Sequence, residues 1–156
     1  MNRNIKDGLN FASKLTLPRI WNSGKVLSSY FGSRFTGKAS LPAMPISISI
    51  EPTTSCNLRC PECPSGLRSF TRPTGMLKQE LFEKVINELA PTLSYLIFYF
   101  QGEPYLHPQL LEMVRYASQK KIYTATSTNA HYLSDEMAKK TVESGLDRMI
   151  ISIDGV

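Results

Sequence analysis

The sequence predicts an α/β fold: a partial parallel (βα) barrel of TIM-like type, reduced to its first four strands and preceded by a short, basic, helical extension. Three observations predict it. From residue 45 onward, strand-like and helix-like stretches alternate in the order βαβαβαβ. The second, third and fourth strand-like stretches begin about 27 residues apart, the size of one βα unit. Each of the four runs into polar residues, and parallel sheets collect ligands at the carboxyl ends of their strands.

The elements follow in order. Ile46-Ser47-Ile48-Ser49-Ile50 alternates apolar and polar with β-branched residues, as a strand with one apolar face does. Leu77, Leu81, Phe82, Val85, Ile86 and Leu89 form one helical stripe over the Lys78–Leu89 segment, and Pro91 closes it. Tyr95 to Phe100 is continuously apolar, as in a strand buried on both faces. Pro108 stands at a first-turn position, followed by a second stripe of Leu110, Leu111, Val114 and Ala117. Ile122 to Thr126 is the third strand. Ser134 is an N-cap, Asp135 and Glu136 suit the first turn of a third helix, and Gly145 stops it. Met149 to Ile153 is the fourth strand. The sequence ends three residues later. A parallel sheet ending on a bare strand leaves an unpaired edge, so a fragment of a longer barrel is expected.

Residues 1–44 read as a separate appendage, with residues 45–156 as the barrel part. Ile5, Leu9, Ala12 and Leu15 fall at amphipathic helical spacing, and Pro18 is expected to end that helix. Trp21, Val26, Leu27, Tyr30 and Phe31 mark a second short helix, and Gly37 to Pro45 a linker. The first 44 residues carry seven basic side chains and one acid, Asp7, for a net +6. Residues 45–156 carry 11 basic and 12 acidic side chains, for a net −1. The formal +5 of the chain therefore belongs to its N-terminal third. Basic, Ser-rich and acid-poor composition also describes transit peptides, but a helical extension packed on the following domain is the reading taken here. The near-neutral body argues against a nucleic-acid partner.

With 42% hydrophobic and 20% charged residues the chain lies in the ordinary globular range, which excludes collagen-like, coiled-coil and wholly disordered classes. No apolar run approaches the ~20 residues needed to span a bilayer, so no transmembrane segment is expected. All three cysteines, Cys56, Cys60 and Cys63, lie within eight residues. An odd, tight cluster is a poor disulfide framework; it suits a metal or cluster in a reducing compartment, and a cytoplasmic location is expected.

Three thiolates on one loop, spaced C-x-x-x-C-x-x-C, can hold three corners of a cubane iron–sulfur cluster and leave one iron open. Structural zinc would need a fourth ligand, for which His107 and His131 are the only histidines. Three buried thiols acting as small hydrophobes fit poorly beside Asn57, Arg59 and Glu62. The other strand ends supply Gln101-Gly102-Glu103-Pro104, Ser127-Thr128-Asn129-Ala130 and Ser152-Ile153-Asp154-Gly155. Arg68 and Arg72 form a basic loop behind the cysteines, most simply solvated.

A strand, then C-x-x-x-C-x-x-C, then a second strand ending in Gly-Glu-Pro resembles the radical SAM superfamily, from about Ile46 to Gly155. The wording Cys56-Asn57-Leu58-Arg59-Cys60-Pro61-Glu62-Cys63-Pro64 is most similar to members with a C-terminal SPASM or twitch extension. The resemblance implies that Cys56, Cys60 and Cys63 ligate a [4Fe–4S] cluster whose open iron chelates S-adenosylmethionine. It implies that Gly102, Glu103 and Pro104 receive the methionine amino group. Ser127 and Asn129 would contact the ribose or carboxylate, and Ser152 and Asp154 would lie near the ribose. It also implies a low-potential electron donor of flavodoxin or ferredoxin type, reductive cleavage to a 5′-deoxyadenosyl radical, and a small-molecule or peptide or protein substrate. Two positions depart from the family: Glu62 replaces an aromatic residue before the third cysteine, and Gln101 replaces the first Gly of Gly-Gly-Glu. A zinc- or nucleic-acid-binding module and an inactive truncated barrel are the competing readings.

Overall fold

The structure, a computed structural model, describes residues 2–153. Asp154 lies outside the described residues. Four parallel strands, β1 (Ser47–Ser49), β2 (Tyr95–Ile97), β3 (Tyr123–Thr128) and β4 (Arg148–Ile151), pair in the order β1-β2-β3-β4. Sequential order matters. A doubly wound sheet reverses direction at a switch point and puts helices on both faces, whereas right-handed crossovers between sequential neighbours put every helix on one face. That is the layout of a barrel wall.

The crossover helices are α4 (Gln79–Leu89), α5 (Leu110–Gln119) and α6 (Asp135–Glu143). The core lies between them and the outer face of the sheet. Phe82 and Ile86 of α4, Leu96 and Phe98 at β2, and Met113, Val114 and Ala117 of α5 are all fully buried there. Burying a side chain of this size contributes about 1.5–3 kcal/mol. The α6 start is as its sequence dictates: the Ser134 hydroxyl accepts from Met137 N at 3.2 Å, and Lys140 pairs with Glu136 one turn back.

Several boundaries differ from expectation. Ladder pairing in β2 ends at Ile97, and its two faces are unequal: Leu96 and Phe98 are buried, Tyr95 and Ile97 half-buried, and Phe100 is 75% exposed rather than core. Two short turns were not foreseen, helix α3 (Pro64–Leu67) and a 3-10 turn at Pro104–Leu106. Pro108 precedes α5 instead of entering it.

The N-terminal third forms two helices, α1 (Arg3–Ser13) and α2 (Leu17–Thr36). Pro18 does not end the first; it sits in the first turn of the second, where its missing N–H costs nothing. Gly37 closes α2 at φ 67°, a left-handed conformation suited to glycine. Both helices pack at the amino ends of the strands. Phe11 stands edge-on to Tyr123 at 5.5 Å, and Tyr123 stacks on Tyr95 at 4.9 Å. Asp147 accepts from Asn10 (2.8 Å), Lys14 (2.6 Å) and the Thr124 amide (2.8 Å). Asp7 accepts from the Tyr123 hydroxyl, and burial, then this contact, holds that phenol well above its ordinary pKa.

Arg19 is 2% exposed. Its guanidinium donates to the carbonyls of Lys14 (2.8 Å), Ala90 (2.9 Å), Lys120 (2.9 Å) and Lys121. Ala90 and Lys120 are the C-caps of α4 and α5, so one cation meets the negative ends of two helix dipoles and satisfies carbonyls that no helical N–H can reach. Burial lowers its pKa, without depriving it of charge at neutral pH.

Candidate active site

The carboxyl ends of the four strands meet at the opposite rim. After β1 the chain turns through Thr53 and Thr54, both buried, which stitch to the strand-like return at Gly75–Met76. Thr53 Oγ1 donates to Gly75 O (3.1 Å), Gly75 N to Thr54 Oγ1 (3.0 Å), and Thr53 bridges Met76. This clasp closes a loop that holds all three cysteines. Cys56 and Cys63 are half-buried and Cys60 is exposed, and all three thiols are free.

The cysteine loop is held by Gln101 together with Ser65, which sequence reasoning did not single out. Ser65, in α3, donates its hydroxyl to Gln101 Oε1 (3.1 Å) and accepts from Gly102 N (2.9 Å). Gln101 Oε1 also accepts from the Cys63 thiol at 3.7 Å. Gln101, a departure from the family pattern, thus ties the end of β2 to the cysteine loop. Gly66 lies under Cys60, where an added Cβ would stand 2.5 Å from Cys60 N and 2.6 Å from Cys60 O. A glycine just past the third cysteine was the one available signal.

The sulfur atoms already attract amides. Leu58 N donates to Cys56 Sγ at 3.5 Å. The Gly66 amide, ahead of Ser65, holds the Cys63 thiol below its ordinary pKa. Among the described residues, no three His, Cys, Asp or Glu side chains are gathered closely enough to hold a metal ion. His107 is buried with Nε2 2.8 Å from Leu77 O and Nδ1 accepting from Gln109 N at 3.1 Å, so both nitrogens are engaged. A Cys₃His zinc site using His107 would have to break one of these bonds.

The Gly102–Glu103–Pro104 turn is built to a tight tolerance. Gly102 has φ 77°, and a Cβ there would lie 2.2 Å from Thr53 O. Only glycine permits that approach. Glu103, 2% exposed, accepts from Tyr105 N (3.1 Å) and Thr128 Oγ1 (2.7 Å) on Oε1, and from Asn129 N (2.9 Å) on Oε2. Its carboxylate caps the 3-10 turn that Pro104 opens and binds that turn to the end of β3. The capping role thus has more partners than a purely ligand-facing carboxylate would. The carbonyls of Gln101 and Gly102 accept no hydrogen bond among the described residues.

The remaining expected residues are brought together in pairs. Asn129 Nδ2 donates to Asn57 Oδ1 (2.9 Å), joining the end of β3 to the cysteine loop. Ser127 and Ser152 lie 3.3 Å apart, hydroxyl to hydroxyl, at the ends of β3 and β4. A cleft of about 310 Å³ opens beside Cys56, lined by Ser55, Ser65, Arg68, Phe70 and Arg72. Arg72 reaches back to Glu51 at 2.7 Å and lies over the Phe70 ring. Its charge is therefore compensated, and only Arg68 projects from that loop without an acidic partner among the described residues.

Comparison with known proteins bears on this rim. Residues 50–156 match the radical SAM superfamily. The chain is 35% identical over 107 residues to the tungsten-containing aldehyde ferredoxin oxidoreductase cofactor-modifying protein of Pyrococcus furiosus, covering 67% of this chain and 30% of that protein. It is 31% identical over 112 residues to the PqqA peptide cyclase of Rhodopseudomonas palustris, covering 72% and 29%. The chain thus spans about 30% of the length of the curated relatives it matches. In fold it resembles BtrN, solved in complex with AdoMet and 2-DOIA, at TM-score 0.64 and 23% identity over 71% of this chain and 46% of that one. It also resembles Streptococcus suis SuiB, solved bound to S-adenosylmethionine, at TM-score 0.52 and 19% identity over 78% and 26%. With the family match running from the end of β1 through all four strand ends, the chain belongs to the radical SAM superfamily.

Proposed function

We propose that this chain carries the cofactor-binding half of a radical S-adenosylmethionine enzyme acting on a peptide or protein. In this reading residues 45–156 form the first part of the catalytic barrel, and residues 1–44 an extension that closes its lower end. Cys56, Cys60 and Cys63 hold a [4Fe–4S] cluster. The donor set fits: three free thiols stand on one loop, two with amides or a hydroxyl already directed at sulfur, and a cubane leaves its fourth iron to a substrate. A cluster held there would supply the low-potential electron for reductive cleavage of S-adenosylmethionine to a 5′-deoxyadenosyl radical, which would abstract hydrogen from the substrate.

The chain's own residues position the reactants. The Gly102 turn, held by Glu103, offers the Gln101 and Gly102 carbonyls, unpaired among the described residues, to the methionine ammonium. Ser127 and Asn129 serve the ribose or carboxylate, and Ser152 and Asp154 the ribose. Ser65 keeps turn and cysteine loop in one register, which matters because orientation is most of what such a site can contribute. A flavodoxin- or ferredoxin-type protein supplies the electron. A peptide or protein substrate is supported by the PqqA peptide cyclase and by SuiB, which was also solved with its precursor peptide SuiA.

The observation that carries the reading is the Ser65 bridge, which locks the cysteine loop to the Gly102 turn across 37 residues of sequence. Anaerobic reconstitution with iron and sulfide is expected to give a brown protein that forms 5′-deoxyadenosine when supplied with S-adenosylmethionine and a reductant. Uptake of one zinc ion without sulfide would overturn the reading.

A further inference from the structure

Helix α2 is turned inside out. An amphipathic helix on a folded domain ordinarily buries its apolar stripe and leaves charge in water. In α2 the fully buried residues are Arg19 and Asn22, each 2% exposed. Asn22 makes a two-point clamp on the main chain of Met44, donating to its carbonyl at 2.8 Å and accepting from its amide at 3.0 Å. Most of its large apolar side chains point outward, although Val26 is half-buried and Ile20 and Leu27 also line a groove with Phe11, Ile46 and Tyr95. Leu17 is 82%, Trp21 72% and Phe35 89% exposed, with Ile20, Leu27 and Phe31 on the same helical stripe and each more than half exposed. Helix α1 repeats the arrangement: it turns Asp7, Asn10, Phe11 and Lys14 to the barrel and leaves Ile5 and Leu9 in solvent.

The charge around this stripe has one sign. Residues 1–44 hold seven basic side chains and a single acid, and that acid is engaged by Tyr123. Two of the basic groups serve the barrel, Arg19 on its carbonyls and Lys14 on Asp147. Lys25, Arg34 and Lys38, along and just beyond α2, pair with no acid among the described residues. An apolar stripe that includes Trp and Phe, bordered by unpaired basic residues on a helix too polar to cross a bilayer, has the composition of a helix that lies in a lipid headgroup layer.

We propose that α2 seats the protein on an anionic lipid bilayer, with Trp21, Phe31 and Phe35 entering the acyl boundary and Lys25, Arg34 and Lys38 meeting lipid phosphates. The buried polar face explains how the helix can do this without loosening the fold, since its attachment to the barrel uses Arg19 and Asn22 and none of the stripe's three aromatic anchors. The amino-terminal rim would then face the membrane and the cysteine rim would face away from it.

Trp21 is the only tryptophan in the chain, so its emission reports this face directly. The 156-residue protein is mixed with vesicles of phosphatidylcholine alone or of phosphatidylcholine with phosphatidylglycerol, and scored by co-sedimentation and by Trp21 emission. Binding and a blue shift are expected with the anionic vesicles, and binding weakens with added salt. Phe31→Glu with Phe35→Glu lowers the affinity by tenfold or more, on the order of what two buried aromatic rings contribute. Each reversal among Lys25→Glu, Arg34→Glu and Lys38→Glu costs at least about fivefold on anionic vesicles. All these residues are exposed or half-buried, so unchanged circular-dichroism melting keeps the variants interpretable. Four results would overturn the proposal: no co-sedimentation, equal affinity for neutral vesicles, an unaffected Phe31/Phe35 variant, or a blue-shifted Trp21 before any lipid is added. The last, if accompanied by a dimer in analytical ultracentrifugation, would assign the stripe to a second copy of the chain.

Discussion

The two rims of the same four strands are both built from buried polar side chains, yet they are finished differently. At the amino-terminal rim the charged groups all find partners, and only the Arg19 Nε and the Ser94 hydroxyl are left without one among the described residues. Arg19 spends its guanidinium on four carbonyls, Asp147 accepts from Asn10, Lys14 and Thr124, and Asp7 takes the Tyr123 hydroxyl. At the carboxyl-terminal rim the framework is just as tightly bonded, through Ser65, Gln101 and Glu103, but the cysteine thiols and the Gln101 and Gly102 carbonyls remain available. The difference teaches how to tell scaffold from site. Saturated buried polarity holds a fold together, whereas saturated supports around unsaturated donors hold a place for something else.

This contrast can be broken by mutation. The largest expected effect is Cys60→Ala. Cys60 is exposed and its side chain bonds to nothing among the described residues, so thermal stability should stay within about 0.5 kcal/mol while iron incorporation and deoxyadenosine formation vanish. Iron content equal to wild type would remove Cys60 from the ligand set.

Gly102→Ala comes next and should damage both properties together. The left-handed φ and the 2.2 Å approach to Thr53 O leave no room for a methyl group, so a loss of about 3 kcal/mol or more is expected in chemical denaturation. Any protein that folds should bind S-adenosylmethionine poorly in calorimetry.

Arg19→Ala tests the opposite rim. Removing the cation strands several buried carbonyls and two helix ends, for a loss of about 3 kcal/mol. The iron bound per folded molecule should not change. Arg19→Lys should recover less than half, because an ammonium cannot match the fork that spans α4 and α5. A defect in iron loading at full foldedness would show that the rims are coupled.

The smallest effect belongs to Ser65→Ala. Two hydrogen bonds are lost, one of them to a main-chain amide, for about 1 kcal/mol in stability. The sharper readout is affinity for S-adenosylmethionine, which should weaken as the turn and the loop lose register. Ser65→Thr, which keeps the hydroxyl, should restore it if the bridge is what matters.

Much of this was legible in local sequence. The alternation in Ile46–Ile50, the Phe82–Ile86 stripe and the Ser134 cap each depend on neighbours within a few residues, and each appears where its pattern placed it. Apart from Pro18, which opens α2 instead of ending α1, what local pattern did not reach involves partners far along the chain. The stripe of Ile5 and Leu9 predicted an amphipathic helix, but periodicity cannot say which face the barrel will take, and the barrel took Asp7, Asn10, Phe11 and Lys14. Phe100 extends an apolar run and is nevertheless exposed, because ladder pairing in β2 ends at Ile97. Ser65 carries no signal of its own and Gln101 only that of a polar strand end; their pairing exists only once β2 lies beside β1.

The sequence by itself determined the strand and helix order, the sequential parallel topology, the gathering of polar residues at the strand ends and the membership that the cysteine loop announces. These follow from hydrophobic period, turn residues and ligand spacing, which are local properties. Only the tertiary structure decided that Glu103 is a buried anchor for the β3 end, that Arg19 closes two helices at once, and that α2 faces outward with its apolar side. Those outcomes rest on hydrogen-bond partners as distant as residues 19 and 120, and a buried polar group is placed by the partners that satisfy it.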